Sequence, residues 1–140
     1  MAKLHYNEHL KAVPLFADLD EGELEEISRA ATELDYKAGK VLIKEGTVAH
    51  EMFVITGGTV EVTRDGEHIA DIGPGGFAGE MALMTHAHRN ATVTAKTDVS
   101  VIHIDGREFT TIMNDVPRVA VKMLPVIAAR IAKSSSDHRH

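Results

Sequence analysis

The sequence predicts a mainly β domain, an eight-stranded β-roll of the double-stranded β-helix or jelly-roll class, with helices at its N- and C-terminal ends. Three observations lead there. About eight short runs rich in branched and aromatic residues follow one another over residues 33–105. Turns bearing glycine separate them, and apolar residues tend to recur every second position rather than at the helical period of about 3.6. On either side of this stretch the helical period returns, so helices bracket strands along one chain. The expected plan is one unit over 1–140: a helical segment at 1–32, the roll at 33–105, helices at 106–133 and a frayed tail at 134–140.

The elements follow in order. Asp20 can cap a helix, with Glu23 reaching back to complete the capping box. Leu24, Ile27, Ala30 and Ala31 then recur at helical spacing. The strand candidates are Leu34-Asp35-Tyr36, Val41-Leu42-Ile43 and Glu51-Met52-Phe53-Val54-Ile55. Thr59-Val60-Glu61-Val62-Thr63 alternates and joins His68-Ile69-Ala70-Asp71-Ile72 through Asp65-Gly66, a hairpin signal because both turn positions need positive φ. After Gly73-Pro74-Gly75-Gly76, further strands are expected at 91–95 and 99–104. A short helix at 106–113 precedes a longer one from about 116 to 133, with Pro117 in its first turn. Pro125 falls inside the longer helix and predicts a kink or break, because it lacks an amide donor and clashes with the preceding turn.

Composition narrows the function classes. A chain of 140 residues with 44% hydrophobic and 26% charged residues can form an ordinary globular core. No apolar run approaches membrane-spanning length, and the first residues lack a secretory layout, so a cytoplasmic location without membrane contact is the expectation. The absence of cysteine excludes a disulfide framework, a thiolate metal site and a cysteine nucleophile. A formal net charge of −6 with no Lys/Arg run argues against nucleic-acid binding. An anionic ligand could bind only where local cations and amide dipoles overcome that field.

One segment meets this demand: Gly75-Gly76-Phe77-Ala78-Gly79-Glu80-Met81-Ala82-Leu83, a variable loop, then Arg89-Asn90-Ala91-Thr92-Val93. Glycines admit a ligand close to the backbone, and a helical start offers free amides to an anion. Arg89, opening a strand, can present a planar fork to a phosphate. Glu80 beside it would repel phosphate unless a donor such as a sugar hydroxyl intervened. Each residue alone has an ordinary reading, Met81 and Leu83 as core and Arg89 as surface; their combination at this spacing carries the signal.

The segment resembles the phosphate-binding cassette of the cyclic nucleotide-binding domain family, which reads roughly Phe-Gly-Glu-(Leu/Ile)-Ala-Leu, a loop, then Pro-Arg-x-Ala-Thr. The resemblance extends to Val13-Pro14-Leu15-Phe16, to Gly39 through Gly46, to Phe53-Val54-Ile55 and to Asp105-Gly106-Arg107-Glu108-Phe109. It implies a sensor of cyclic AMP, or of cyclic GMP, with no catalysis and no other cofactor. In that family pattern the cassette spans 76–92, Arg89 pairs with the cyclic phosphate, Glu80 accepts from the ribose 2′-hydroxyl, and the amides of Gly79, Glu80, Met81 and Ala82 cap phosphate oxygens. Asn90 and Ala91 adjoin the ligand, and Ser134 with Ser135 would lie near the base. Three departures stand out: Ala78 replaces an aromatic and should loosen packing, His88 replaces a proline that stiffens the loop, and Asn90 can face the base.

Rival readings are weaker. His86-x-His88 lies in a loop without the facing-strand ligands that a cupin metal site needs, so no metal is expected. No helix-turn-helix follows the long helix within these residues. A roll that has lost its ligand and serves only as an interaction module would not need both Glu80 and Arg89. Ala120, Leu124, Ile127 and Ile131 form a stripe near coiled-coil spacing, compatible equally with a homodimer and with packing on the roll. An effector protein is implied but not named by the sequence.

Overall fold

The computed structural model describes residues 10–85 and 87–138, with side chains described to residue 132 apart from Met84. A 3₁₀ turn (Pro14–Phe16) leads to α1 (Glu21–Ala30). Eight strands follow: β1 (Ala31–Tyr36), β2 (Val41–Ile43), β3 (Glu51–Gly57), β4 (Val60–Arg64), β5 (Glu67–Ile72), β6 (Phe77–Ala78), β7 (Thr92–Ala95) and β8 (Val99–Asp105). A short α2 (Glu80–Thr85) interrupts the roll, and α3 (Gly106–Asp115) and α4 (Pro117–His138) close the chain.

The strands form two four-stranded antiparallel sheets, ordered β1-β8-β3-β6 and β2-β7-β4-β5. Except in the β4–β5 hairpin, consecutive strands fall in opposite sheets, which winds the chain into the expected roll. Strand periodicity explains the apolar run Met52-Phe53-Val54-Ile55. Phe53 and Ile55 face the space between the sheets, with Val60, Val93, Val99 and Val101. Met52 and Val54 face the helices, with Leu24, Ile27, Phe109, Ile112 and Met123. Strand β3 is therefore buried on both faces. The two-residue β6 was not legible separately: Phe77 turns to the helical layer and Ala78 to the roll interior.

Local chemistry matches the sequence at several points. The Asp20–Glu23 capping box is complete, at 2.8 and 3.0 Å. Asp65 and Gly66 have φ of 52° and 80°, the backbone that a tight two-residue hairpin requires. Asp105 caps α3 by accepting from the Glu108 amide at 2.9 Å. Pro117 opens α4, where its missing N–H costs no helical hydrogen bond.

Other expectations need correction. Ala31 belongs to β1, not to the helix, so the roll begins two residues earlier than 33. Pro125 does not end α4, which continues as one helix past residue 133 to His138. Pro125 is exposed, as is Val121 one turn before it, so the proline lies on the side of the helix away from the core. The stripe at 120, 124, 127 and 131 is only partly covered: Ile127 is buried in the helical layer, while Leu124 and Ile131 are about half exposed at 58% and 49%.

Candidate functional site

Among the described residues, Glu80 and Arg89 are the buried charged side chains, 1% and 5% exposed. Both line one cavity of about 170 Å³ between the second sheet, the start of α2 and α4. Burying a charge is costly unless it is paired and hydrogen-bonded. The way each is held therefore defines the site.

Arg89 is fixed at both ends. Its backbone pairs with the turn after β2: its amide donates to the Thr47 carbonyl and its carbonyl accepts from the Gly46 amide, each at 2.8 Å. His88 bridges to Val48 in the same ladder, so backbone pairing holds the loop where a proline is absent. The guanidinium donates through Nη1 to the Gly79 carbonyl at 2.8 Å and through Nη2 to the Glu51 carbonyl at 2.5 Å. Burial lowers its pKa, opposed by the carboxylates of Glu51 and Glu80; an arginine remains charged under such a shift. Arg89 does not open a strand as expected, since β7 starts only at Thr92.

Gly79 has φ +94°, and a Cβ there would lie 2.7 Å from Arg89 Nη1 and 3.1 Å from the Glu51 carbonyl oxygen. Both the backbone and the space require glycine at this position. The sharp turn at Gly79 sets Glu80 as the first residue of α2 and points the helix start at the cavity. Met81, Ala82, Asn90 and Ala91 line the same cavity, with Ala82 and Ala91 buried and Asn90 exposed. Ala78 is buried at 3% and faces the core between the sheets, opposite Phe53 in register.

Sequence reasoning missed the residue that pairs with Glu80. Arg130 of α4 donates through Nη1 to Glu80 Oε1 at 2.5 Å and through Nη2 to the Phe77 carbonyl at 2.7 Å. Its guanidinium also lies 4.9 Å from the centroid of the Phe77 ring, within cation–π range. Glu80 Oε2 has no hydrogen-bond partner although it is buried. An orphaned acceptor of this kind is rare in a folded interior and is consistent with a missing donor. Ser134 falls on α4, but its side chain, like that of Ser135, lies outside the described residues, as does His86. Of the named site residues, the structure brings together Gly79, Glu80, Met81, Ala82, Arg89, Asn90 and Ala91.

A family model described as the cyclic nucleotide-binding domain matches residues 33–116. The chain belongs to the cyclic nucleotide-binding domain family. This domain is 38% identical over 109 residues to a cyclic nucleotide-gated potassium channel of Rhizobium etli, a match covering 78% of this chain and 30% of the channel. It is 29% identical over 114 residues to a cAMP-dependent protein kinase regulatory subunit of Schizosaccharomyces pombe, covering 81% of this chain and 28% of that protein. The chain thus spans about a third or less of the length of these relatives. A solved structure of cAMP-bound PfPKA-R superposes with a TM-score of 0.82 at 22% identity, covering 96% of this chain and 47% of that one; at that identity the likeness concerns the fold.

Within this cyclic nucleotide-binding domain, the matched span of 33–116 holds all but the first two residues of the roll, and Arg130 lies beyond it. No helix among the described residues is long and apolar enough to cross a membrane.

Proposed function

We propose that this chain is a sensor module that binds a cyclic purine nucleotide, cyclic AMP foremost, without transforming it. One observation carries the reading: Glu80 and Arg89 are both buried on the wall of a single cavity, and Glu80 keeps an unpartnered oxygen there. A cyclic phosphate supplies the anion for Arg89 and for the amides at the start of α2. The ribose 2′-hydroxyl supplies the donor for Glu80 Oε2. Apolar residues, Val62, Ile72 and Val93 among them, give the base a surface to lie against. The names of the relatives support the same ligand class.

The signal leaves through α4. Arg130 holds Glu80 Oε1 while the ribose is assigned to Oε2, so helix and ligand share one carboxylate. A ligand moves an equilibrium only through contacts that differ between states, and this shared carboxylate supplies such a contact. The outward side of α4, with exposed Val121, Leu124 and Ile131, is the surface assigned to a second copy or an effector. In this reading nucleic acid and membrane are not partners.

Calorimetry with cyclic AMP, cyclic GMP and 5′-AMP tests the ligand class. Cyclic nucleotides should bind and 5′-AMP should bind far more weakly, because its phosphate is not tied back toward the ribose. No heat from either cyclic nucleotide would overturn the proposal.

A further inference from the structure

Arg89 carries the proposed phosphate contact, yet its segment lies between regular elements, after the bridge at His88 and before β7 starts at Thr92. Two stretches flank it. On one side the turn after β2 holds the Arg89 amide and carbonyl through Thr47 and Gly46. On the other side β4 pairs with β7 as far as Thr63 opposite Thr92, and Arg64 Nε donates to the Asn90 carbonyl at 2.9 Å.

Glu45 joins the two flanks. Its amide donates to Thr92 Oγ1 at 3.0 Å, and its Oε1 accepts from the Asp65 amide at 3.1 Å. Asp65 stands at the tip of the β4–β5 hairpin, twenty positions further along the chain. The Arg64–Glu67 pair closes that ladder, so the Asp65 amide lies outside it and is open to a side chain. The Glu45 carboxylate therefore reaches from one flank of the Arg89 segment to the other. Glu45 does not line the cavity, so it can act on a nucleotide only through the backbone it holds. We infer that Glu45 is a positioning residue for Arg89, a strap that fixes the segment from which the guanidinium projects. A binding group must be held within about 0.5 Å of its productive place by the hydrogen bonds behind it. The inference rests on the proposed function, because its consequence is read in nucleotide binding.

The test is calorimetry of cyclic AMP on the unsubstituted chain, Glu45→Ala, Glu45→Gln, Arg89→Ala and the double variant Glu45→Ala with Arg89→Ala, with thermal melts confirming that each folds. Glu45→Ala should weaken binding by about threefold to tenfold, the range for one lost hydrogen bond. Glu45→Gln keeps an oxygen for the Asp65 amide and should recover most of that loss. In the Arg89→Ala background the Glu45 substitution should have no further effect, because the group it positions is gone. If Arg89→Ala does not fold, Arg89→Lys supplies the background, and there the Glu45 effect should shrink. An effect of the same size in both backgrounds is additive, which would mean that Glu45 acts on the fold at large and the inference is wrong. Unchanged affinity in Glu45→Ala, or no recovery in Glu45→Gln, overturns it as well, with the proposed function intact. If cyclic AMP does not bind the unsubstituted chain, the site reading fails and this inference falls with it.

Discussion

Arg130 Nη1 lies 2.5 Å from Glu80 Oε1, so the last helix is bonded to the buried carboxylate in the wall of the cavity. Fifty positions separate the two in sequence, and the contact joins the cassette to an element outside the family's matched span. Replacing Arg130 with alanine leaves Glu80 a buried anion without its cation. A hydrogen bond to a charged group contributes about 1.5–3 kcal/mol, discounted here because the Arg130 side chain is 30% exposed. Hydrogen exchange should show residues 126–135 opening faster in Arg130→Ala, and cyclic AMP should protect them less than in the unsubstituted chain. Equal exchange in both proteins would remove Arg130 as the coupling residue.

The unpartnered Glu80 Oε2 gives a second expectation. If the ribose hydroxyl is its donor, the 2′-deoxy analogue of cyclic AMP leaves the acceptor buried and unpaired. That penalty is about 1–3 kcal/mol, or roughly five- to 150-fold in affinity. Competition binding of the two nucleotides measures it, and equal affinities would show that Glu80 does not read the ribose.

Acid should loosen the attachment of α4 at its other end. Lys122 Nζ lies 2.8 Å from Asp18 Oδ2, and this hydrogen bond and charge, with help from Arg118, hold the Asp18 carboxyl below its ordinary value. A depressed folded-state pKa means that the unfolded chain takes up the proton first as pH falls. The contribution is therefore complete above the unfolded carboxylate pKa and is lost as pH drops through the folded one. Melting temperatures of the unsubstituted chain and Asp18→Asn should differ at neutral pH and converge in acid. A gap that stays constant with pH would contradict the assignment.

Much of this was legible in the sequence because local rules governed it. Asp65-Gly66 dictated its hairpin, Asp20 and Glu23 their capping box, and the apolar run Met52-Phe53-Val54-Ile55 a strand, whose burial on both faces only the structure shows. Gly79, Glu80 and Arg89 were legible as a set through their spacing. Pro125 does not break the helix, because it falls at an exposed position of α4, where a proline is tolerated without ending the helix. Arg130 was hidden for a different reason: its partner is fixed by tertiary packing. A signal was present nonetheless. Val119, Met123 and Ile127 are buried at helical spacing, and Arg130 is the next position on that face. An arginine continuing a buried stripe implies a buried acceptor.

Arg89 offers the most direct test of the account. Its guanidinium is held by the Gly79 and Glu51 carbonyls beside the cavity, and the cyclic phosphate is assigned to it. Calorimetry of cyclic AMP should be run on the unsubstituted chain, Arg89→Ala and Arg89→Lys, with thermal melts to confirm that each folds. Truncating one partner of a buried charge pair costs about 2–5 kcal/mol in binding, so Arg89→Ala should lose roughly thirtyfold or more in affinity, and lysine should recover only part of it. A folded Arg89→Ala protein that binds cyclic AMP as tightly as the unsubstituted chain would contradict the site proposed for this domain.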